Sequence, residues 1–352
     1  MAVLAIPVAV ASVALGTGAA SASPTAPASG VTWHKLSAIN GWHSAQHAYN
    51  TGDPRWAVKG GVVYLSGSVH RTSGSSILFA VLPSQARPSH KMWITVSMAG
   101  HSTGTLTILP SGKMSASSTP SGYAPSYTSL AAVSFPAKST AQKKITLLNG
   151  WHSEQSVYLS GDPSYTVKNG VVYLSGSLAT SGSNDEFAVL PKAARPAHNE
   201  YITVYTLSGT FGTLQIDANG VARAYSGSAK SFTSLAAVSY PVASAPRHKL
   251  TLQGGWHSEQ GVYNTGDPAY EISGGVVYLS GSLATAGTNY QFAVLPPAAR
   301  PAHRLYIKAY TFASSVGTVL IEPNGTMAAY NADSLDSQKF TSLATISFPL
   351  TS

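Results

Sequence analysis

Gly170-Val171-Val172-Tyr173-Leu174-Ser175-Gly176-Ser177 is a run of strand length, apolar and β-branched at its start and closed by a glycine. The same eight residues recur at 61–68 and 275–282, at offsets of 109 and 105. Working outward, Gly-Trp-His precedes each run, at 41–43, 150–152 and 255–257. Gly-Asp-Pro lies between, around Asp53, Asp162 and Asp267. Phe-Ala-Val-Leu-Pro follows from Phe79, Phe187 and Phe292, then Arg-Pro-x-His at Arg87/His90, Arg195/His198 and Arg300/His303. Thr-Ser-Leu-Ala closes each series from Thr128, Thr233 and Thr341. One order at near-constant spacing means tandem copies, spanning 33–136, 143–241 and 248–349.

Within a copy the pattern is that of strands. Tyr201-Ile202-Thr203-Val204-Tyr205 and Leu235-Ala236-Ala237-Val238-Ser239-Tyr240 are further strand-length runs, and Gly-Asp-Pro, Asn219-Gly220 and Leu190-Pro191 supply turns. No window of a dozen residues holds a 3.6-residue period, so helix content should be very low. Seven or eight short strands in about 100 residues predict an all-β module of the sandwich or jelly-roll kind. The joints at 137–142 and 242–247 are short and lack long Gly/Ser tracts. That suits three copies packed about a pseudo-threefold axis within one chain, and it also suits a rigid rod.

Composition narrows the classes. Of 352 residues 44% are hydrophobic and 10% charged, which excludes a disordered polyelectrolyte and a coiled coil. The chain has no cysteine, which excludes disulfides, thiolate metal sites and a Cys nucleophile. No charged side chain precedes Lys35. An apolar stretch over 2–15, too short to span a bilayer, leads to Ala20-Ser21-Ala22 and a Ser/Pro/Ala tract. This reads as a signal peptide over 1–22 and a spacer over 23–32, with the missing basic n-region explained by a mis-set start codon. The expectation is a secreted, extracellular protein associated with a cell wall and without a membrane span.

In the second copy the blocks read NGWH, GDPSY, GVVYLSGSL, FAVLPKAARPAH, GTLQIDANG and TSLAAVSYP. This order resembles the C-terminal receptor-binding head modules of bacteriophage tail fibre and baseplate proteins. Those modules carry an N-G-W segment, G-V-V-x-L-x-G, L-P-x-x-x-R-P and a closing strand. The resemblance covers most of each copy, and it implies an all-β sandwich, usually trimeric, that recognises a host-surface saccharide or protein. Here three modules share one chain.

Candidate chemistry is sparse. Gly100-His101-Ser102-Thr103-Gly104 matches G-x-S-x-G, but a strand-like stretch follows it where a nucleophile elbow needs a helix, so a hairpin loop is expected. Asp53, Asp162 and Asp267 recur once per copy, whereas a glycosidase needs two carboxyl groups about one bond, so these read as turn residues. Recurring His43, His152 and His257, and His90, His198 and His303, form no local ligand pair. His43 and His47 would share a face only in a helix, and none is expected there. No metal and no cofactor is expected. Three equivalent histidines could converge only around a common axis.

Aromatic residues repeat more richly, as Trp42/Trp151/Trp256, Tyr49/Tyr158/Tyr263, Trp56/Tyr165/Tyr270 and Trp93/Tyr201/Tyr306. Aromatic faces stack on sugar C–H faces, and the same rings also fill cores. Trp42, Trp151 and Trp256 stand among polar neighbours and are expected to be exposed. Together with His43, His152, His257, Tyr49, Tyr158 and Tyr263 they form the candidate ligand-binding set. The segments at 70–78, 179–186 and 284–291 differ most between copies, which suits non-identical recognition loops.

Net charge is +8 overall, with the first copy holding seven basic residues and one acidic. The basic residues form no stripe interleaved with aromatics, so nucleic acid is not the expected partner. A surface glycan or an anionic cell-wall polymer suits an exported basic protein. The reading is a non-enzymatic binder of such a ligand. The alternatives are a structural adaptor for protein receptors and an esterase using Ser102.

Overall fold

The computed structural model describes residues 31–118, 122–332 and 334–351. The segment read as a signal peptide, 1–22, and nearly all of the expected spacer, 23–32, lie outside these residues. The spacer's end does not: Val31 is buried in an apolar cluster with Val62, Val171 and Val276.

Each copy builds the same three antiparallel sheets. In the second copy the first sheet runs Lys143–Lys144, Ser164–Lys168, Val171–Ser175, Ser239–Pro241. A three-stranded sheet joins His152–Ser153, Ser177–Ala179 and Thr233–Ser234. The last sheet orders Glu186–Val189, Val221–Tyr225, Phe211–Ile216 and Glu200–Tyr205. The protein is all-β, as expected. There are eleven strands per copy instead of seven or eight, because pieces of two or three residues extend the sheets where no periodicity can register. The second difference is a single helical turn after each Gly-Trp-His, at Gln46–Tyr49, Gln155–Tyr158 and Gln260–Tyr263. Each starts where a serine hydroxyl (Ser44, Ser153, Ser258) accepts its first amide hydrogen and ends in a left-handed residue. Four residues are too few to show a period.

The repeated motifs have local physical causes. A Cβ on Gly67, Gly176 or Gly281 would lie 2.1, 2.3 or 2.4 Å from the carbonyl oxygen of Asp53, Asp162 or Asp267. The Gly-Asp-Pro turn therefore fixes the glycine that closes the repeated strand. In Leu-Pro-x-x-x-Arg-Pro the guanidinium Nε of Arg87, Arg195 and Arg300 donates back to the carbonyl of Leu82, Leu190 and Leu295 at 2.9–3.0 Å.

The repeated strand is apolar on both faces because both are buried. Val172 and Leu174 enter the core of their own copy. Val171 and Tyr173 join a different cluster with Val62, Tyr64, Val276 and Tyr278 of the other copies. There the Tyr173 hydroxyl meets those of Tyr64 at 3.1 Å and Tyr278 at 3.2 Å. Contacts between copies close on themselves. The amides of Lys91, Asn199 and Arg304 donate to the carbonyls of Leu159, Asn264 and Asn50, so the first copy meets the second, the second the third and the third the first. His90, His198 and His303 pack in the same cyclic order against Gly161, Gly266 and Gly52. The ends also meet, where the Trp33 indole donates to Thr351 Oγ1 at 3.0 Å.

Candidate ligand grooves at the seams between copies

Three strands at equivalent positions, Met92–Ser97, Glu200–Tyr205 and Leu305–Tyr310, pack pairwise around the centre of the ring. Their second residues, Trp93, Tyr201 and Tyr306, alternate outward from the buried positions and reach the seam with the next copy. At the first seam Trp93 lies 6.1 Å from Tyr205 with ring planes 16° apart, and edge-on to Phe232 at 5.3 Å and Tyr158 at 5.9 Å. At the second, Tyr201 meets Tyr310 at 5.7 Å, Phe340 at 5.8 Å and Tyr263 at 6.0 Å. At the third, Tyr306 meets Tyr127 at 5.5 Å and Tyr49 at 6.5 Å.

The first two seams open into grooves of about 250 Å³ each. Trp93, Thr105, Thr107, Ser117, Tyr205 and Phe211 line the first. Tyr201, Tyr225, Tyr263, Tyr310, Phe312 and Phe340 line the second. The ring positions are fixed: the hydroxyls of Tyr205 and Tyr310 each accept a backbone amide hydrogen at 3.2 Å, from Gly209 and Ser314. At the edge of the second groove the Tyr225 hydroxyl donates to Gln215, whose amide donates to Asp217, which pairs with Arg223. Burial raises the Tyr201 and Tyr225 pKa values, so both phenols stay neutral hydrogen-bonding groups. The Lys91 ammonium sits 4.2 Å from the Trp93 ring centre, which adds positive charge at the first groove.

The third seam differs. Ser97 stands where the other seams have Tyr205 and Tyr310, and its hydroxyl is hydrogen-bonded to Thr318 at 3.1 Å. His101 takes up the space, stacked on Tyr330 at 4.7 Å with planes 18° apart. Burial lowers its pKa, so the ring is held neutral.

The candidate set separates in the structure. Tyr49, Tyr158 and Tyr263 are half-buried at the three seams, against Tyr127, Phe232 and Phe340 at 4.4, 4.7 and 4.6 Å. Trp42, Trp151 and Trp256 are buried, only 2%, 5% and 5% exposed, which corrects the expectation of exposure. Their indoles donate to the carbonyls of Ser76, Asn184 and Asn289, so they anchor the divergent segments from beneath. His43, His152 and His257 are exposed. His152 and His257 each lie 3.1 Å from Glu154 and Glu259, while His43, whose copy has Ala45 there, faces His70 instead. Asp162 and Asp267 are more than turn residues. Lys144 and Lys249 bind them and hold their carboxyls below the ordinary range, helped by Ser153 and Ser258.

Tyr205, Tyr310, Phe232 and Phe340 were missed from sequence. The aromatic residue directly before each Thr-Ser-Leu-Ala block (Tyr127, Phe232, Phe340) was a readable signal. Ser102 lies in a hairpin loop as expected, and its hydroxyl donates to the Ala99 carbonyl at 2.6 Å. Among the described residues no three His, Cys, Asp or Glu side chains cluster as a metal site, and no helix is long and apolar enough to cross a membrane. The equivalent histidines do not converge: His90, His198 and His303 are spread over three seams, and tyrosines occupy the centre. Comparison with protein-family models, with curated proteins and with solved structures found no match.

Proposed function

We propose that the protein is an exported, non-enzymatic binder of surface saccharide, a glycan or cell-wall polymer, and that saccharide lies in the two open seam grooves. The observation that carries this reading is the second groove, where four half-buried tyrosines and two phenylalanines line a cleft with a hydrogen-bonding edge. Aromatic faces stack on the C–H faces of pyranose rings, and the Tyr225–Gln215–Asp217 chain offers donors and acceptors to hydroxyls. The positive charge of the first copy favours acidic polymers. The motif resemblance to tail-fibre head modules points in the same direction. A glycan array with the chain from residue 23 onward tests it. Binding that falls at least tenfold in Tyr201→Ala or Trp93→Ala is the expected result. An empty array alongside a protein captured in pull-downs would support the adaptor reading instead.

A further inference from the structure

Around its Gly-Trp-His segment the first copy is cut back at two positions. Ala38 stands where the others have Leu147 and Leu252, and Ala45 where they have Glu154 and Glu259. Leu147 and Leu252 pack against the cores of their copies, as Ala38 does against its own, so the first copy lacks the branched end of that side chain. A cavity of about 240 Å³ lies beside Ala38, lined also by Lys35, Trp42, His43, Ser44 and Asp53. Lys35 and His43 are exposed, Asp53 is half-buried and Trp42 is buried, so polar groups surround an apolar floor.

The charges at this cavity are left open as well. In the other copies Lys144 and Lys249 close on Asp162 and Asp267 at 2.6 and 2.5 Å, and Ser153 donates to Asp162 at 2.8 Å. Among the described residues Lys35 and Asp53, the equivalent pair, form no ion pair with each other or with another side chain. Arg55 stands directly across from Lys35, where the other copies place Ser164 and Ala269, so positive charge is in excess. A ligand that satisfies these groups brings an anionic group to Lys35, hydroxyl hydrogens to Asp53 and an apolar face to Ala38. An inorganic anion would meet Asp53 with like charge, and a neutral sugar would leave Lys35 without a partner. The room is below that of drug-sized sites and suits one sugar ring.

We infer that the first copy carries a separate pocket for one acidic sugar residue, a uronate, with its carboxylate on Lys35 and its hydroxyls on Asp53 and Ser44. The pocket extends the saccharide reading of the seam grooves but stands or falls apart from it. Titration of the isotope-labelled full chain with sodium glucuronate should shift the amide signals of Ala38, Ser44 and Asp53. Methyl glucoside, which lacks the carboxylate, should bind at least about tenfold more weakly, and Lys35→Gln should weaken glucuronate by a similar factor. Ala38→Leu installs the residue that the other two copies accommodate, and it should abolish the shifts. Tyr201→Ala should leave them in place. Absence of these shifts in the parent overturns the inference, as does their survival in Ala38→Leu. Glycine matching glucuronate in affinity would overturn the assignment to an acidic sugar. Glycan binding that is lost in Tyr201→Ala in any of these cases would still support the grooves.

Discussion

Glu200 is the side chain whose replacement should change stability most informatively. It is 4% exposed, on an inner strand where the first copy has Met92 and the third has Leu305, both buried. Burial pushes its carboxyl up to about 8 from the ordinary 4.5, against a smaller opposing pull from Arg247. The folded protein therefore keeps a proton that the unfolded chain releases. Between pH 4.5 and 8 the folded state binds more protons, so stability falls as pH rises and levels off above 8. The slope is about 1.4 kcal/mol per pH unit, and the accumulated loss at pH 7 is about 3 kcal/mol. Glu271, pushed up to about 7 by burial and sharing Arg247, adds a loss of the same sign over a narrower window. Glu200→Gln keeps the shape without ionising, and Glu200→Met copies the first repeat. Urea melts from pH 5 to 7.5 should show each variant gaining on the parent by about 1.4 kcal/mol per unit. A parent–variant difference that stays constant across that range would refute a retained proton.

Removing a hydroxyl from the buried tyrosine trio, by Tyr173→Phe, should lower stability by about 1–3 kcal/mol, since Tyr64 and Tyr278 both lose a partner; an unchanged melting temperature would contradict that. Gly161→Ala should destabilise by more than about 1 kcal/mol, because the new Cβ would lie 2.4 Å from the His90 ring at φ 78°; His90→Ala in the same background should recover part of the loss in calorimetry. Small-angle scattering should give a radius of gyration of about 20 Å for a closed ring of this length, and a rod-like profile would exclude it.

Strands and repeats were legible because they rest on local pattern. Val171-Val172-Tyr173-Leu174 even carried a hint of the ring, since four consecutive apolar residues need a partner on each face. The tryptophans were misread for a reason of geometry. In a strand, neighbours point to opposite sides, so in Trp42–Ser44 the exposed His43 beside Trp42 is what a buried Trp42 requires. Polar neighbours were taken as a sign of exposure where they signal alternation. The seam grooves were hidden more deeply. Trp93 and Tyr205 belong to different copies, and nothing local pairs them until the ring closes. Tyr205 has Ser97 as its counterpart in the first copy, so the position did not stand out as a matched aromatic set.

Six-residue joints turn an encounter among three bodies into an intramolecular one. A neighbouring copy is held at an effective concentration in the millimolar range, however dilute the protein. A trimer of separate chains comes apart on dilution, and its melting temperature depends on protein concentration. In this chain assembly and folding are one unimolecular event, so the melting temperature should be the same at nanomolar and millimolar protein. Covalent linkage also lets equivalent positions of the inner strands differ: Lys308 of the third copy stands where the first two have Thr95 and Thr203, whereas three identical chains would have to bring three ammonium groups together.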